Sequence, residues 1–441
     1  MTSLARKLRT LDYFTLAFGT IVGVGWLVVM DDWLQRGGPL GAMLAFAVGS
    51  LALAPIGYAY GQLVMAIPDA ASEIAYTQKV FPPWVSFATG WMMTLVYLIV
   101  CPWEAVALGK IAAYLLPGLN SFPLYHVVGQ PVYLPRLILG LALIVLVTWL
   151  NYQGIRLSAN FQNWMTFTLL GLFALLGIFC IQRGSAHNFL PLFSHGRFVS
   201  ILLVLQIVPY FMTGFEAVPK CAEEANPEFR ARGYFRAIIL SLATGALFYV
   251  AVTAMVAFVQ PWQSLVHESF ATAVAFKRAF RSPVLINMVF AAALASLLKA
   301  CNGNFLAASR LLFALGREGF VNPRLGQVHA VKLTPSNAVF CVGAFGVVGA
   351  LLGESILVPI TEVGSLACAV GWLATCASYL RLERSWTRRL IALLGLSVCA
   401  ALILMKFLPS IPGHFTTYEY AALAAWIAIG LQARHRGPRV T

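Results

Sequence analysis

The stretch Thr20-Ile21-Val22-Gly23-Val24-Gly25-Trp26 interrupts an apolar run about eleven residues after that run begins near Leu11. At about 1.5 Å per residue this is roughly 16 Å along a helix, the middle of a hydrocarbon core about 30 Å thick. Two glycines two positions apart each cost a helix about 1 kcal/mol, and they permit the chain to unwind. Unwound backbone facing lipid leaves its N–H and C=O groups without partners, so it persists only inside protein or beside a polar cavity. A second interruption, Met212-Thr213-Gly214-Phe215-Glu216, falls in the sixth apolar run. Paired interruptions at matching positions of two halves point to a solute site near the membrane midplane.

Composition places those runs in a membrane. Sixty per cent of the 441 residues are hydrophobic and ten per cent charged, against about 25% charge in a soluble domain. Apolar runs cover 11–31, 40–66, 84–115, 132–150, 160–181, 198–219, 236–259, 284–315, 337–353, 356–380, 389–408 and 417–432. Each is about 17 residues or longer, so twelve spans are expected, the third and eighth being the longest. The net charge of +14 resembles a nucleic-acid signal until its location is read. With the N-terminus inside, 20 Lys and Arg fall on the cytoplasmic side, eight outside, and Lys110 and Lys299 within spans. That bias puts both termini in the cytoplasm and makes the bilayer, not nucleic acid, the basic side chains' partner. The first run enters directly behind Arg6-Lys7-Arg9, as an uncleaved signal anchor does. Eight cysteines lie in or beside apolar runs without C-x-x-C spacing. They read as small core residues, and no disulfide framework, metal site or cofactor is expected.

Loops are too short for a separate soluble domain. Five spans is an odd number, so spans 1–5 (1–181) and 6–10 (198–380) start on opposite sides of the membrane. If they are repeats, they are inverted ones. Spans 11 and 12 (389–432) stand outside that pattern. Pro68–Phe81 suits a short interfacial helix on the cytoplasmic side. Pro261–Arg281, which carries Trp262, Leu265, Phe270, Val274, Phe276 and Phe280, is expected as helices over the outer vestibule.

Four segments resemble the amino acid–polyamine–organocation transporters, in order and across nearly the whole chain. Gly23-Val24-Gly25 resembles that family's first-span substrate loop. Gly214-Phe215-Glu216 with Ala222-Glu223-Glu224-Ala225-Asn226-Pro227 resembles its sixth span and exit loop. Asn302-Gly303 through Ala308-Ser309-Arg310-Leu311-Leu312 and Gly316-Arg317-Glu318-Gly319 resembles its eighth span. Thr334-Pro335-Ser336-Asn337-Ala338 resembles the start of its ninth. The resemblance implies an all-α polytopic membrane protein of 12 transmembrane helices. It implies a LeuT-like 5+5 inverted repeat with helices 1 and 6 broken, plus two extra C-terminal helices. Three positions depart from the family pattern: Trp26 after the second glycine, Ala71-Ser72 for a common Gly-Gly pair, and Thr168 where some sodium-independent relatives carry a fifth-span lysine.

Backbone dipoles at the breaks suit a zwitterion. Amides opening the half-helix near Gly25 face a carboxylate, and carbonyls ending the lower half-helix face an ammonium. Ile21, Val22, Gly23, Val24, Gly25 and Trp26 from the first break, with Tyr210, Phe211, Thr213, Gly214 and Phe215 from the second, are the candidate substrate-binding residues. Close helix packing by the glycines, and simple core packing by the aromatics, are the alternatives. Glu104 and Glu216 are acids inside spans, each a candidate for coupling or substrate contact against a structural ion pair. Asp31 and Asp32 lie about 10 Å above the first break, as a vestibule lure for cations or a solvated helix end. Lys299, near the middle of the eighth run, shares a helix face with Ser296, Asn302 and Gly303. In sodium-coupled relatives of the fold, a cation holds the first span against the eighth. Lys299 can supply that charge by meeting carbonyls near Thr20–Gly23, or it can pair with Glu104 or Glu216. The function expected is secondary transport of amino acids by alternating access in the cell membrane, sodium-independent and coupled to protons or to exchange. An amine or polyamine carrier and a transporter-like sensor are the alternatives. An acid facing the pocket, with Glu104 the candidate, favours amines. No H-E-x-x-H, G-x-S-x-G or G-x-x-x-x-G-K-[ST] pattern points to an enzyme.

Overall fold

The computed structural model describes residues 4–411 and 414–434, with the backbone alone over 354–361; the basic residues Arg436 and Arg439 lie outside the described residues. The first run forms α1 (Thr10–Ile21) and α2 (Gly25–Val28), and the second lies in α3 (Met30–Ala66). Gly38 at φ 63°, ψ 177° divides α3, so its first turns continue the first span and the rest forms the second. The short α4 (Glu73–Gln78) precedes the third run, which is α5 (Pro83–Leu98) continued by α6 (Val100–Leu115). A hairpin of β1 (Pro123–Val127) and β2 (Gln130–Tyr133) leads to α7 (Leu134–Gln153) and α8 (Ile155–Arg183). The sixth run is divided into α9 (Arg197–Leu205), α10 (Val208–Met212) and α11 (Ala217–Lys220). There follow α12 (Arg232–Val259), α13 (Ala271–Phe280), α14 (Pro283–Arg317), α15 (Ser336–Leu351), α16 (Glu354–Leu382), α17 (Trp386–Phe407) and α18 (Thr417–Ala433).

Among the described residues, nine helical stretches are long and apolar enough to cross a membrane. The expected runs at 198–219, 337–353 and 417–432 are not among them. The first of these is broken, and α15 and α18 have 16 and 17 residues. Pro209, the extended backbone of Thr213 (ψ 136°) and Gly214 (φ 138°) divide the sixth run. Among the described residues the architecture is helical apart from the hairpin and an isolated bridge between Leu8 and Ala225, neither of which the sequence reading included.

Helix α1 is largely enclosed. It packs against α8, α12 and α14, and Tyr13 and the stretch from Thr15 to Ile21 are buried. Around it, α3 packs on α9, α12, α16 and α17, while α14 packs on α5, α6, α7, α8 and α15. Trp164 and Ile181 on α8 and Leu394 on α17 are exposed, as lipid-facing side chains are in a solvent of hydrocarbon. Seven of the eight cysteines are buried and Cys341 is exposed.

One expectation changes. Pro68–Phe81 is not an interfacial helix: α4 is docked inside the protein, with Glu73 through Thr77 buried. A buried ion pair holds it, Lys220 Nζ lying 2.6 Å from Glu73 Oε1. Ser72, in the pair that replaces Gly-Gly, takes the left-handed φ of 48°, a conformation glycine reaches without strain. By contrast, Trp262, Leu265, Phe270, Val274 and Phe276 are buried, and His267 and Phe270 border a vestibule, as expected for Pro261–Arg281.

Candidate functional site

Helix α1 ends at Ile21 because Val22 turns to φ −93°, ψ 89°, and the helical path resumes only at Gly25. At the second break Gly214 adopts φ 138° and lies directly against the first. A Cβ there would come within 2.6 Å of the Ile21 nitrogen. The two interruptions therefore touch, and no residue but glycine allows that approach. Gly25 lies under the Phe211 ring, which a Cβ would meet.

A cavity of about 40 Å³ opens beside the contact, lined by Thr20, Ile21, Gly23, Gly25, Val96, Val100, Trp103, Glu104, Tyr210, Phe211, Thr213, Tyr249, Ala300 and Asn304. Above it lies a vestibule of about 600 Å³ bordered by Asp31, Asp32, Arg36, Lys110, Arg136 and His267. Trp103, Tyr210 and Phe211 border both spaces. They form the partition between them, with Phe211 wedged against Trp33 at 5.0 Å between ring centroids. Asp32 pairs with Arg36 at 2.8 Å on the vestibule wall.

The far end is closed by charge. Arg310 meets Glu224 through Nη2 at 2.7 Å and Nε at 3.2 Å, and both side chains are fully buried. The amides of Lys7 and Leu8 donate to the Glu224 carbonyl, each at 2.8 Å, and Tyr13 donates to the Cys221 carbonyl at 2.7 Å. Lys220 joins Glu73 to the Glu216 carbonyl, at 2.6 and 2.8 Å. Breaking such a pair by removing one partner costs about 3–5 kcal/mol, because the other charge stays buried.

Lys299 reaches the first break from α14. Its ammonium donates to the Gly19 carbonyl at 3.3 Å and to the Val22 carbonyl, and it stands 5.2 Å from the Phe18 ring centroid. It makes no ion pair with a described acid. Ser296, one turn away, places its hydroxyl 3.0 and 2.8 Å from the Val22 and Gly23 carbonyls. The carbonyls left unpaired where α1 stops are thus met from one helix face. Thr168 is exposed on α8 and does not face this point. The α8 residue that does is Gln162, bonded to the Thr15 carbonyl at 3.3 Å and to Asn302 at 2.9 Å. A helix presents one residue in three or four to a given neighbour, so an offset within a span moves a side chain to another face.

Of the residues assigned from sequence, Ile21, Gly23, Gly25, Glu104, Tyr210, Phe211 and Thr213 line the cavity. Val22 and Val24 contribute backbone only: a carbonyl to Lys299 and an amide to Glu104 Oε1 at 3.4 Å. Trp26 and Phe215 lie elsewhere. The Trp26 indole donates to Ser296 at 3.3 Å and its ring meets Phe248. Phe215 packs between Tyr60 and Trp372. Glu216 faces away from the cavity, accepting the Gly214 N–H at 3.0 Å. The sequence reading missed Trp103, Tyr249 and Asn304. Tyr249 donates to the Ile21 carbonyl at 2.8 Å, but in the sequence it is one aromatic in an unbroken run.

Residues 8–431 match the family model described as amino acid permease. The chain belongs to the amino acid permease family. This permease is therefore a multi-pass membrane transporter and not an enzyme. It is similar to the methylthioribose transporter of Bacillus subtilis strain 168, 23% identical with 97% of this chain and 92% of that protein covered. It is 26% identical to the branched-chain amino acid permease of the same organism, covering 82% and 77%. It is 22% identical to that organism's gamma-aminobutyric acid permease, covering 93% and 89%.

Proposed function

We propose that this permease is a secondary transporter of amino acids or their related amines, working by alternating access in the cell membrane without sodium. The observation that carries the reading is the contact of the two breaks beside a small cavity, with the Lys299 ammonium on the Gly19 and Val22 carbonyls. A fixed ammonium there supplies the charge that a bound sodium ion supplies in sodium-coupled relatives of the fold. The twelve spans, the inverted five-plus-five repeat and cytoplasmic termini belong to the same reading. In it, the Arg310–Glu224 and Lys220–Glu73 pairs close the cytoplasmic side while the vestibule stays open outside. Trp103, Tyr210 and Phe211 are the gate that solute passes, and protons or a counter-solute supply the driving force.

Uptake of labelled amino acids and amines into proteoliposomes tests this. Accumulation is expected with sodium replaced by choline, and Gly25→Leu is expected to abolish it while the purified protein stays folded. A strict sodium requirement, or wild-type uptake by Gly25→Leu, overturns the reading.

A further inference from the structure

Glu104 occupies the position at which the first break would receive a substrate's carboxylate. Its Oε1 accepts the Val24 N–H at 3.4 Å, and a Cβ on Gly23 would lie 2.6 Å from that oxygen. Its Oε2 is buried, has no hydrogen-bond partner, and belongs to a side chain bordering the cavity. A buried carboxylate oxygen left unpaired is costly, and a cation or a strong donor is what relieves it. Lys299 is engaged with the Gly19 and Val22 carbonyls. Of the other lining donors, the hydroxyls of Thr20, Thr213 and Tyr249 and the amide of Asn304 each donate to a backbone carbonyl, and the Tyr210 hydroxyl borders the same cavity.

The charge around the two breaks points the same way. Glu73, Glu104 and Glu216 are buried there, and among the described residues Lys220 and Lys299 are the buried cations beside them. Size narrows the ligand further. At about 40 Å³, against about 10–15 Å³ for a single water, the cavity is small.

We propose that Glu104 stands in for the substrate's own carboxylate, and that the site selects a small primary amine: a cation with no carboxylate on the carbon that bears its nitrogen. The ammonium meets Glu104 Oε2, and the short alkyl part lies against Val96, Val100 and Phe211. An α-amino acid in the same place would set its carboxylate against that of Glu104, both anionic and both directed at the Val24 amide. The assignment rests on the transport reading for its location and goes beyond it in naming the ligand.

Matched pairs differing only in the carboxylate decide it: ethylamine against alanine, and isobutylamine against valine. Each is titrated into the purified wild-type protein by calorimetry. The amine of each pair is expected to bind at least about ten-fold more tightly than its amino acid. Glu104→Gln, which keeps the shape and an acceptor for Val24 but loses the charge, is expected to weaken amine binding by at least about ten-fold. Tighter binding of the amino acids, no amine binding, or unchanged amine affinity in a folded Glu104→Gln protein each overturns the proposal. If that variant does not fold, the wild-type pairs decide alone. Counterflow in proteoliposomes separates the two readings. Amine binding without flux overturns transport and leaves the ligand assignment standing. Alanine or valine flux with no amine binding overturns the ligand assignment and leaves transport standing.

Discussion

At the first break, a cation meets exposed carbonyls: Lys299 donates to Gly19 and Val22 from a separate helix. At the second, an anion meets an exposed amide: Glu216 Oε2 accepts the Gly214 N–H at 3.0 Å from only two residues away. The difference follows from which end of a half-helix each break leaves open. Where α1 stops, carbonyls lack partners and carry partial negative charge; ahead of α11, amides carry the positive end. The first break is held from α14, a different part of the chain, so its geometry reports how α1 sits on α14. The second is held locally, and Lys220 then ties it to Glu73 in α4. One break records the packing of spans, the other the state of the closed end.

Removing the tertiary support should do the most damage. Lys299→Met leaves the buried Gly19 carbonyl unpaired and the Val22 carbonyl with Ser296 alone, and hydrogen bonds to charged groups are worth about 1.5–3 kcal/mol each. We expect uptake to fall by at least about 100-fold and thermal unfolding to show a loss of about 3 kcal/mol or more. Near-wild-type uptake and stability would remove the asymmetry between the breaks. Glu73→Gln tests the far link of the second break. It leaves the Lys220 ammonium buried beside a neutral amide, at an expected cost of about 3 kcal/mol, and uptake should fall as the closed end loosens. Unchanged stability would detach α4 from the second break.

A smaller loss is expected from Gly214→Ala. Its Cβ would come within 2.6 Å of the Ile21 nitrogen, at a backbone angle that side chains rarely adopt. Strain of that kind costs about 1–3 kcal/mol. If the variant melts like the wild type, the two breaks are not pressed together. Glu216→Gln retains a carbonyl oxygen for the Gly214 amide, so about 1 kcal/mol, roughly a factor of five in uptake, is expected. A loss as large as that of Lys299→Met would show that the second break also depends on a charge. The smallest effect belongs to the medium: exchanging sodium for choline should change wild-type uptake less than two-fold, by direct flux measurement.

Much of this was legible in the one-dimensional pattern. Gly23, Gly25 and Gly214 mark the breaks because glycine is the cheapest residue at which a helix stops, and unwound backbone at membrane depth persists only inside protein or beside a polar cavity. Lys299 was legible as a charge too deep in an apolar run to reach water, with small polar neighbours at helical spacing. Membrane class followed from hydropathy and from the small share of charged residues. These are local or additive properties, and a sequence states them directly.

Which face each side chain presents was decided only in three dimensions. Trp26 and Phe215 flank the breaks in sequence yet turn into the core, while Trp103 and Tyr249 come from unbroken runs to the cavity. Thr168 faces out, and Gln162, six positions earlier, faces α1. Pro68–Phe81 looked interfacial because it is too polar to cross a membrane and too apolar for a free loop, and it is internal because Glu73 is buried with Lys220, 147 residues away. Rotation about a helix axis and pairing between distant charges depend on contacts among all the neighbouring spans at once. Hydrophobic runs as uniform as these carry little periodicity to reveal either.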